Sequence, residues 1–256
     1  MKSKELVKIK SPLSVSIFLT EKCNQKCKFC YTNSGIVGEH ISTDKAKTII
    51  DKCAEAEVFD INFTGGEPTL HPDFADIVKY AKDYDFTIGF TSNGQFNAKT
   101  TREIVKYIDG ATISIHGFRD LHDSLVNKKG SYDKAIRNLE ILSDEGVITQ
   151  VDYTLIKDNL DQLYPFGKFI LEKPIHRLGV LRLIHVGRGK GIESPTIEEY
   201  NKAFSQMYKL RKEFKDKNIE LADAFPYCLV EDERYRKLIR GCSAGVLYAA
   251  IDTKGN

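Results

Sequence analysis

The sequence predicts an α/β fold, a partial (β/α)6 barrel with a short C-terminal extension. Two observations carry this. Short apolar, strand-like runs alternate six times with longer amphipathic runs, the pattern of a parallel sheet with helices packed outside it. The polar motifs also cluster just after the apolar runs, and the functional loops of such folds lie beyond the C-terminal ends of the strands.

The elements are expected in this order. Strand 13–19 leads to helix 43–57, opened by Ser42 or Thr43. Strand 59–63 precedes helix 73–83, and strand 86–90 precedes helix 99–108. Strand 111–115 precedes helix 131–145, and strand 148–156 precedes helix 161–171. Strand 180–186 leads into a long helix, 196–217. These units form a core over residues 1–217. Periodicity does not separate a barrel from a doubly wound open sheet, which is the alternative. Residues 218–256 form the extension, with a short strand at 219–222, a charged stretch between Cys228 and Cys242, and an apolar run at 246–251. The turn Asp252-Thr-Lys-Gly255 follows, where a hairpin is expected.

Composition excludes several classes. The chain has 256 residues with a net charge of +2, too balanced to argue for nucleic acid or a membrane surface as partner. No apolar run approaches the roughly 20 residues of a membrane span, and the opening MKSKELVKIK lacks a signal-peptide stretch. The expected location is the cytoplasm, where clustered cysteines are more often metal ligands than disulfides.

Cys23, Cys27 and Cys30 are the sharpest feature. Three thiols within eight residues meet at one point when the loop wraps a metal centre. Three thiolates on a cube of four irons leave one iron open for chemistry. Zinc is the alternative, since Cys27-x2-Cys30 is a common half-site, but no fourth ligand stands at finger spacing; His40 is the first candidate and has no partner. The spacing C-x3-C-x-aromatic-C, filled by Cys23, Cys27, Phe29 and Cys30, resembles the signature of the radical S-adenosylmethionine (SAM) superfamily. The resemblance implies a [4Fe-4S] cluster on these three thiolates, with its fourth iron chelated by SAM.

Further motifs fall on the same rim. Thr64-Gly-Gly-Glu-Pro68 reads by itself as a tight turn; the resemblance implies that Gly65, Gly66 and Glu67 bind the SAM amino group, the Glu67 carboxylate suiting an ammonium. Thr91-Ser-Asn-Gly94 is an ordinary turn pair whose rim position makes Ser92 and Asn93 candidates for ribose or carboxylate contacts. Ser114 and His116 resemble polar residues of the family that face SAM, with an ordinary rim histidine as the alternative. Arg182, or secondarily Arg188, is the candidate for the SAM carboxylate. Backbone near Val186 is the candidate for adenine, Ile156 is either an adenine contact or core, and Arg188 with Lys190 alternatively forms a solvated face. Cys53 reads as a small buried hydrophobe.

Cys242-Ser-Ala-Gly-x9-Gly255 resembles the start of a SPASM or twitch extension, which holds auxiliary iron–sulfur clusters; Cys228 stands where an upstream ligand would be. Two cysteines do not hold a cube alone. The reading that follows is a radical SAM enzyme that cleaves SAM reductively and removes hydrogen from a substrate. A ribosomally made peptide or protein is preferred. A small-molecule cofactor precursor of tetrapyrrole or quinone type is the alternative, and a non-catalytic iron–sulfur or zinc protein a further one. The implied partners are that substrate, an electron donor such as flavodoxin or ferredoxin, and a separate leader-peptide-binding protein, since only about a dozen residues precede the first strand. No residue is assigned as the catalytic acid, base or hydrogen donor.

Overall fold

The computed structural model describes residues 9–256. The expectation of no signal peptide rests mostly on residues 1–8, outside the described residues. Eight strands form one all-parallel sheet: β1 (Ser14–Thr20), β2 (Asp60–Gly65), β3 (Thr87–Ser92), β4 (Gly110–Ser114), β5 (Ile148–Leu155), β6 (Arg177–Arg182), β7 (Asn218–Leu221) and β8 (Tyr248–Ile251). Their order is β7-β6-β5-β4-β3-β2-β1-β8.

From β1 to β7 the order never reverses. Right-handed crossovers in one direction put every helix on the same face, whereas a doubly wound sheet needs a reversal. The strand order therefore selects the partial barrel. The outer helices are α1 (Thr43–Glu55), α2 (Phe74–Ala81), α3 (Ala98–Ile104), α4 (Arg119–Val126), α5 (Ser131–Asp144), α6 (Leu163–Leu171) and α7 (Ile197–Glu213). Alternate residues of each strand face them: Val15, Ile17 and Leu19 of β1, Ile61 and Phe63 of β2, Ile88 and Phe90 of β3, and Val151, Tyr153 and Leu155 of β5 all join one buried core with Ile49, Ile50, Ile77 and Val78 of the helices. Helix starts follow their caps. Ser42 accepts from Lys45 N–H, Asn97 from Thr100 N–H, and Thr196 forms a reciprocal box with Glu199.

Several expected boundaries move. The sixth strand, expected at 180–186, runs Arg177–Arg182: its pairing with β7 ends at Val180–Leu221, its pairing with β5 ends at Arg182–Leu155, and the Asp223 carboxylate takes the Arg182 N–H in place of a backbone partner. The long helix ends at Glu213 rather than 217, because Phe214 turns out of helical geometry. α4 has no counterpart among the expected elements. It is short and largely polar, and Asn127 in left-handed geometry (φ 52°) terminates it. The apolar run at 246–251 joins the sheet. Its Tyr248–Ile251 pairs in parallel with β1, while the turn after it closes through Asp252 N–H to Asn256 O. Residues 218–256 thus supply both edge strands of the sheet. No helix among the described residues is long and apolar enough to cross a membrane.

Candidate functional site

The three cysteines lie in the loop that leaves β1. Its backbone is tied down on several sides. Cys23 N–H donates to Gly35 O, while Lys26 N–H and Lys28 N–H donate to Val126 O and Leu125 O at the end of α4. Phe29, the aromatic of the motif, is buried with Leu125, Ile156 and Leu183 and meets His116 edge-on, ring centroids 4.7 Å apart. Arg188 closes the loop from outside. Its Nε donates to Cys27 O (2.7 Å), its guanidinium also donates to Ser34 O (2.8 Å) and Asn33 Oδ1 (3.1 Å), and its backbone N–H donates to Cys30 O. The preceding Gly187 sits so close that a Cβ there would lie 2.5 Å from both Cys30 O and Tyr31 O.

Each thiol has a polar neighbour. Asn93 Nδ2 donates to Cys23 Sγ (3.5 Å), Cys30 Sγ pairs with Thr32 Oγ1 (3.2 Å), and Cys27 Sγ donates to Gln25 Oε1 (3.6 Å). Burial raises the Cys23 pKa. Burial, then the other two thiols, push that of Cys27 up to about 12, with Arg188 opposing. Iron reverses the preference for the thiol, because the thiolate is the metal-binding form. The three groups feel one another electrostatically. Three thiolates on one loop are the donor set of an iron–sulfur cube that keeps one iron free of protein ligands, whereas a structural zinc takes four ligands. The triad fits the cluster.

Glu67 follows the two glycines just past β2. It is fully buried, and its carboxylate accepts from Ser92 Oγ (2.9 Å), Asn93 N–H (2.8 Å), Thr69 Oγ1 (2.7 Å) and Thr69 N–H (3.3 Å). The side chain bridges the loops after β2 and β3. Ser92 and Asn93 are buried in the same framework. Gly65 and Gly66 press on the first loop. Gly66 N–H donates to Thr20 O, and a Cβ on Gly66 would lie 2.2 Å from Lys22 O.

His116 is buried rather than open on the rim. Its Nδ1 accepts from Thr154 N–H (3.0 Å), so the neutral ring carries its proton on Nε2, and burial holds its pKa well below the ordinary value. Its backbone N–H donates to His122 Nδ1, and His122 continues to Ser131 and Gln25, back to the cysteine loop. Ser114 ends β4, opposite Asp152 of β5. Arg182, the last residue of β6, and Val186, just beyond it, are exposed. Ile156 is core, packed on Phe29. Arg188 is neither a solvated residue nor free for a carboxylate; its donors hold the cysteine loop. Its structural role lay hidden in a short Gly-Arg-Gly run 158 residues from Cys30.

A cavity of about 470 Å³ opens beside the triad, lined by Phe18, Thr20, Glu21, Thr32, Gly65 and Gly66 among others, and reached by Asp252 and Thr253 after β8. A larger depression between α7 and Glu231–Tyr235 carries no rim motif. The inner face of the sheet is polar. Asn62 bonds Ser16 and Thr91, and Arg177 joins Asp152 (2.9 Å) to Glu220 (3.2 Å) across Gly179. Cys228 and Cys242 are both exposed, while Cys53 is buried in the core.

Comparison with known proteins agrees with this geometry. Residues 17–170 match the family model described as the Radical SAM superfamily. The mycofactocin maturase MftC of Mycolicibacterium smegmatis is 31% identical over 205 residues, 76% of this chain and 51% of that protein. The Fe-coproporphyrin III synthase of Methanosarcina barkeri is 27% identical over 208 residues, 78% and 51% respectively. Streptococcus suis SuiB, solved bound to its precursor peptide SuiA, superposes with a TM-score of 0.79 over 94% of this chain and 58% of that one, at 17% identity. The chain thus spans about half the length of the curated relatives it matches. Members of this family use a [4Fe-4S] cluster and SAM, and on the match across residues 17–170 this chain belongs to the radical SAM superfamily.

Proposed function

We propose that this chain is the SAM-cleaving core of an enzyme that removes a hydrogen atom from a peptide substrate. The observation that carries it is the cysteine triad set on the sheet's C-terminal rim, beside a cavity lined by Gly65 and Gly66. When bound, the reduced cluster and SAM supply a 5′-deoxyadenosyl radical. The chain's own residues do the rest. Cys23, Cys27 and Cys30 hold three irons, and Phe29, Arg188 and α4 fix the loop that carries them. Gly65 and Gly66 bring backbone to the SAM ammonium, with the Glu67 carboxylate holding the framework rather than touching the ammonium. Ser114, Arg182 and Val186 flank the remaining edge as SAM contacts, and Ser92 and His116 support them from within.

The peptide reading draws support from the inner face. Its hydroxyls, amides and the Asp152–Arg177–Glu220 group suit the polar backbone of a peptide. The relative named as a porphyrin synthase favours the second reading, maturation of a tetrapyrrole-type cofactor. A flavodoxin- or ferredoxin-type electron donor completes the proposed system.

Anaerobic reconstitution with iron and sulfide, then dithionite and SAM, tests the core reaction. 5′-Deoxyadenosine is expected from the wild type, and Cys30→Ala loses iron and product together. No 5′-deoxyadenosine from the iron-loaded wild type refutes the enzyme. Mass spectrometry of candidate peptides and of iron coproporphyrin after incubation separates the two substrate classes.

A further inference from the structure

We propose that Asn93 is a positioning residue that sets the reduction potential of the cluster by donating a hydrogen bond from its side-chain amide to Cys23 Sγ. This rests on the reading that Cys23, Cys27 and Cys30 hold a [4Fe-4S] cluster. The orientation of the amide is decided by its surroundings. Asn93 Oδ1 accepts from Gln95 N–H (2.9 Å), which leaves Nδ2 on the other side. One Nδ2 proton goes to Asn24 Oδ1 (2.8 Å), so the second is the one aimed at Cys23 Sγ, at 3.5 Å. The backbone is held as firmly, since Asn93 N–H donates to the buried Glu67 carboxylate (2.8 Å). The side chain has no free rotamer: its three polar links all run within the loop framework.

The other two sulfurs differ. Thr32, on Cys30, is an exposed hydroxyl that also bonds Ser34, and Gln25 presents its oxygen to Cys27. An oxygen serves a thiol but not a thiolate on iron, which has no proton to give. Among the side chains of the described residues Asn93 is thus the buried amide donor on the triad, beside the Gln25 backbone N–H that also reaches Cys23. Reduction adds negative charge that spreads onto the ligating sulfurs, and a fixed N–H dipole stabilises the reduced form more than the oxidised one. Losing the donor must therefore make the cluster harder to reduce.

The test uses the full chain, reconstituted anaerobically, with iron and sulfide per chain measured first. In wild type labelled with ¹⁵N-asparagine, pulsed EPR of the reduced cluster is expected to show a hyperfine coupling to ¹⁵N and to a proton that exchanges in D2O. In Asn93→Ala and in the isosteric Asn93→Asp this coupling disappears. At the wild-type midpoint the ratio of reduced to oxidised cluster falls at least threefold in Asn93→Ala and further in Asn93→Asp, where a tenfold fall corresponds to about 59 mV for one electron. A merely structural role would lower cluster loading without moving the potential of the clusters that do load. Absence of the coupling in loaded wild type overturns the proposal without any variant. So do loaded variants that titrate as the wild type does. Failure of the wild type to load iron refutes the cysteine reading instead, and the two failures are distinguishable.

Discussion

Replacing Glu67 by alanine removes the acceptor of four hydrogen bonds. The Thr69 groups lie nearer the surface and find water, but Ser92 Oγ and Asn93 N–H are buried and have nowhere else to donate. A stranded buried donor costs about 1–3 kcal/mol, so Glu67→Ala is expected to destabilise by about 4 kcal/mol. At about 2–4 °C per kcal/mol for a domain of this size, the midpoint of thermal unfolding falls by roughly 8–16 °C. Glu67→Gln keeps one oxygen and turns an N–H toward a donor, for about half that loss. Burial outweighs the four bonds and raises the Glu67 pKa. The stabilising effect of its protonated form is then full below the unfolded value and is lost as pH rises through the folded one. The gap between wild type and Glu67→Gln is therefore widest in acid. The assay is thermal unfolding followed by circular dichroism, with SAM binding measured by calorimetry on reconstituted protein. A midpoint within about 3 °C of wild type in Glu67→Ala, with SAM binding abolished, would refute the bridge. It would restore the carboxylate as an ammonium contact.

Other outcomes follow from the same geometry. Gly66→Ala puts a Cβ 2.2 Å from Lys22 O, so the backbone of the cysteine loop must move; iron per chain after reconstitution should drop below half of wild type while far-UV dichroism is retained. Arg188→Ala removes three side-chain hydrogen bonds to the same loop, and iron should pass to a chelator about tenfold faster or more, as expected for about 1.4 kcal/mol or more of lost restraint. Asp152 is raised to about 6, by burial first and then by Asp223 and Glu220, with Arg177 opposing. The neutral form is thus favoured in the fold, and stability from this group is lost as pH rises from about 4 through about 6. Asp152→Asn should flatten that part of the stability–pH curve, and an unchanged slope would count against the buried pair.

Much of the fold is legible in local pattern. Six strand–helix alternations follow from apolar spacing, since each element must present one apolar face to the core, and the caps at Ser42, Asn97 and Thr196 need only a side chain and a backbone N–H three residues on. α4 escaped because eight mostly polar residues carry little periodic signal; it is held by what packs on it, the cysteine loop. The end of β6 escaped because β5, whose last residue Leu155 pairs with Arg182 from 27 positions away, decides where the ladder stops.

The sequence by itself determined the cysteine triad and its aromatic, the glycine turn after β2 and the class of fold, because spacing within a dozen residues specifies each of them. Tertiary structure alone decided single winding against double, the parallel seat of β8 on β1, and the partners of the rim's polar groups. Glu67 meets Asn93 across 26 residues, Asn93 meets Cys23 across 70, and Arg188 meets Cys27 across 161. A polar side chain has the same local signature whether it faces a ligand or a neighbouring loop. Only the packing of distant strands shows which donor it meets.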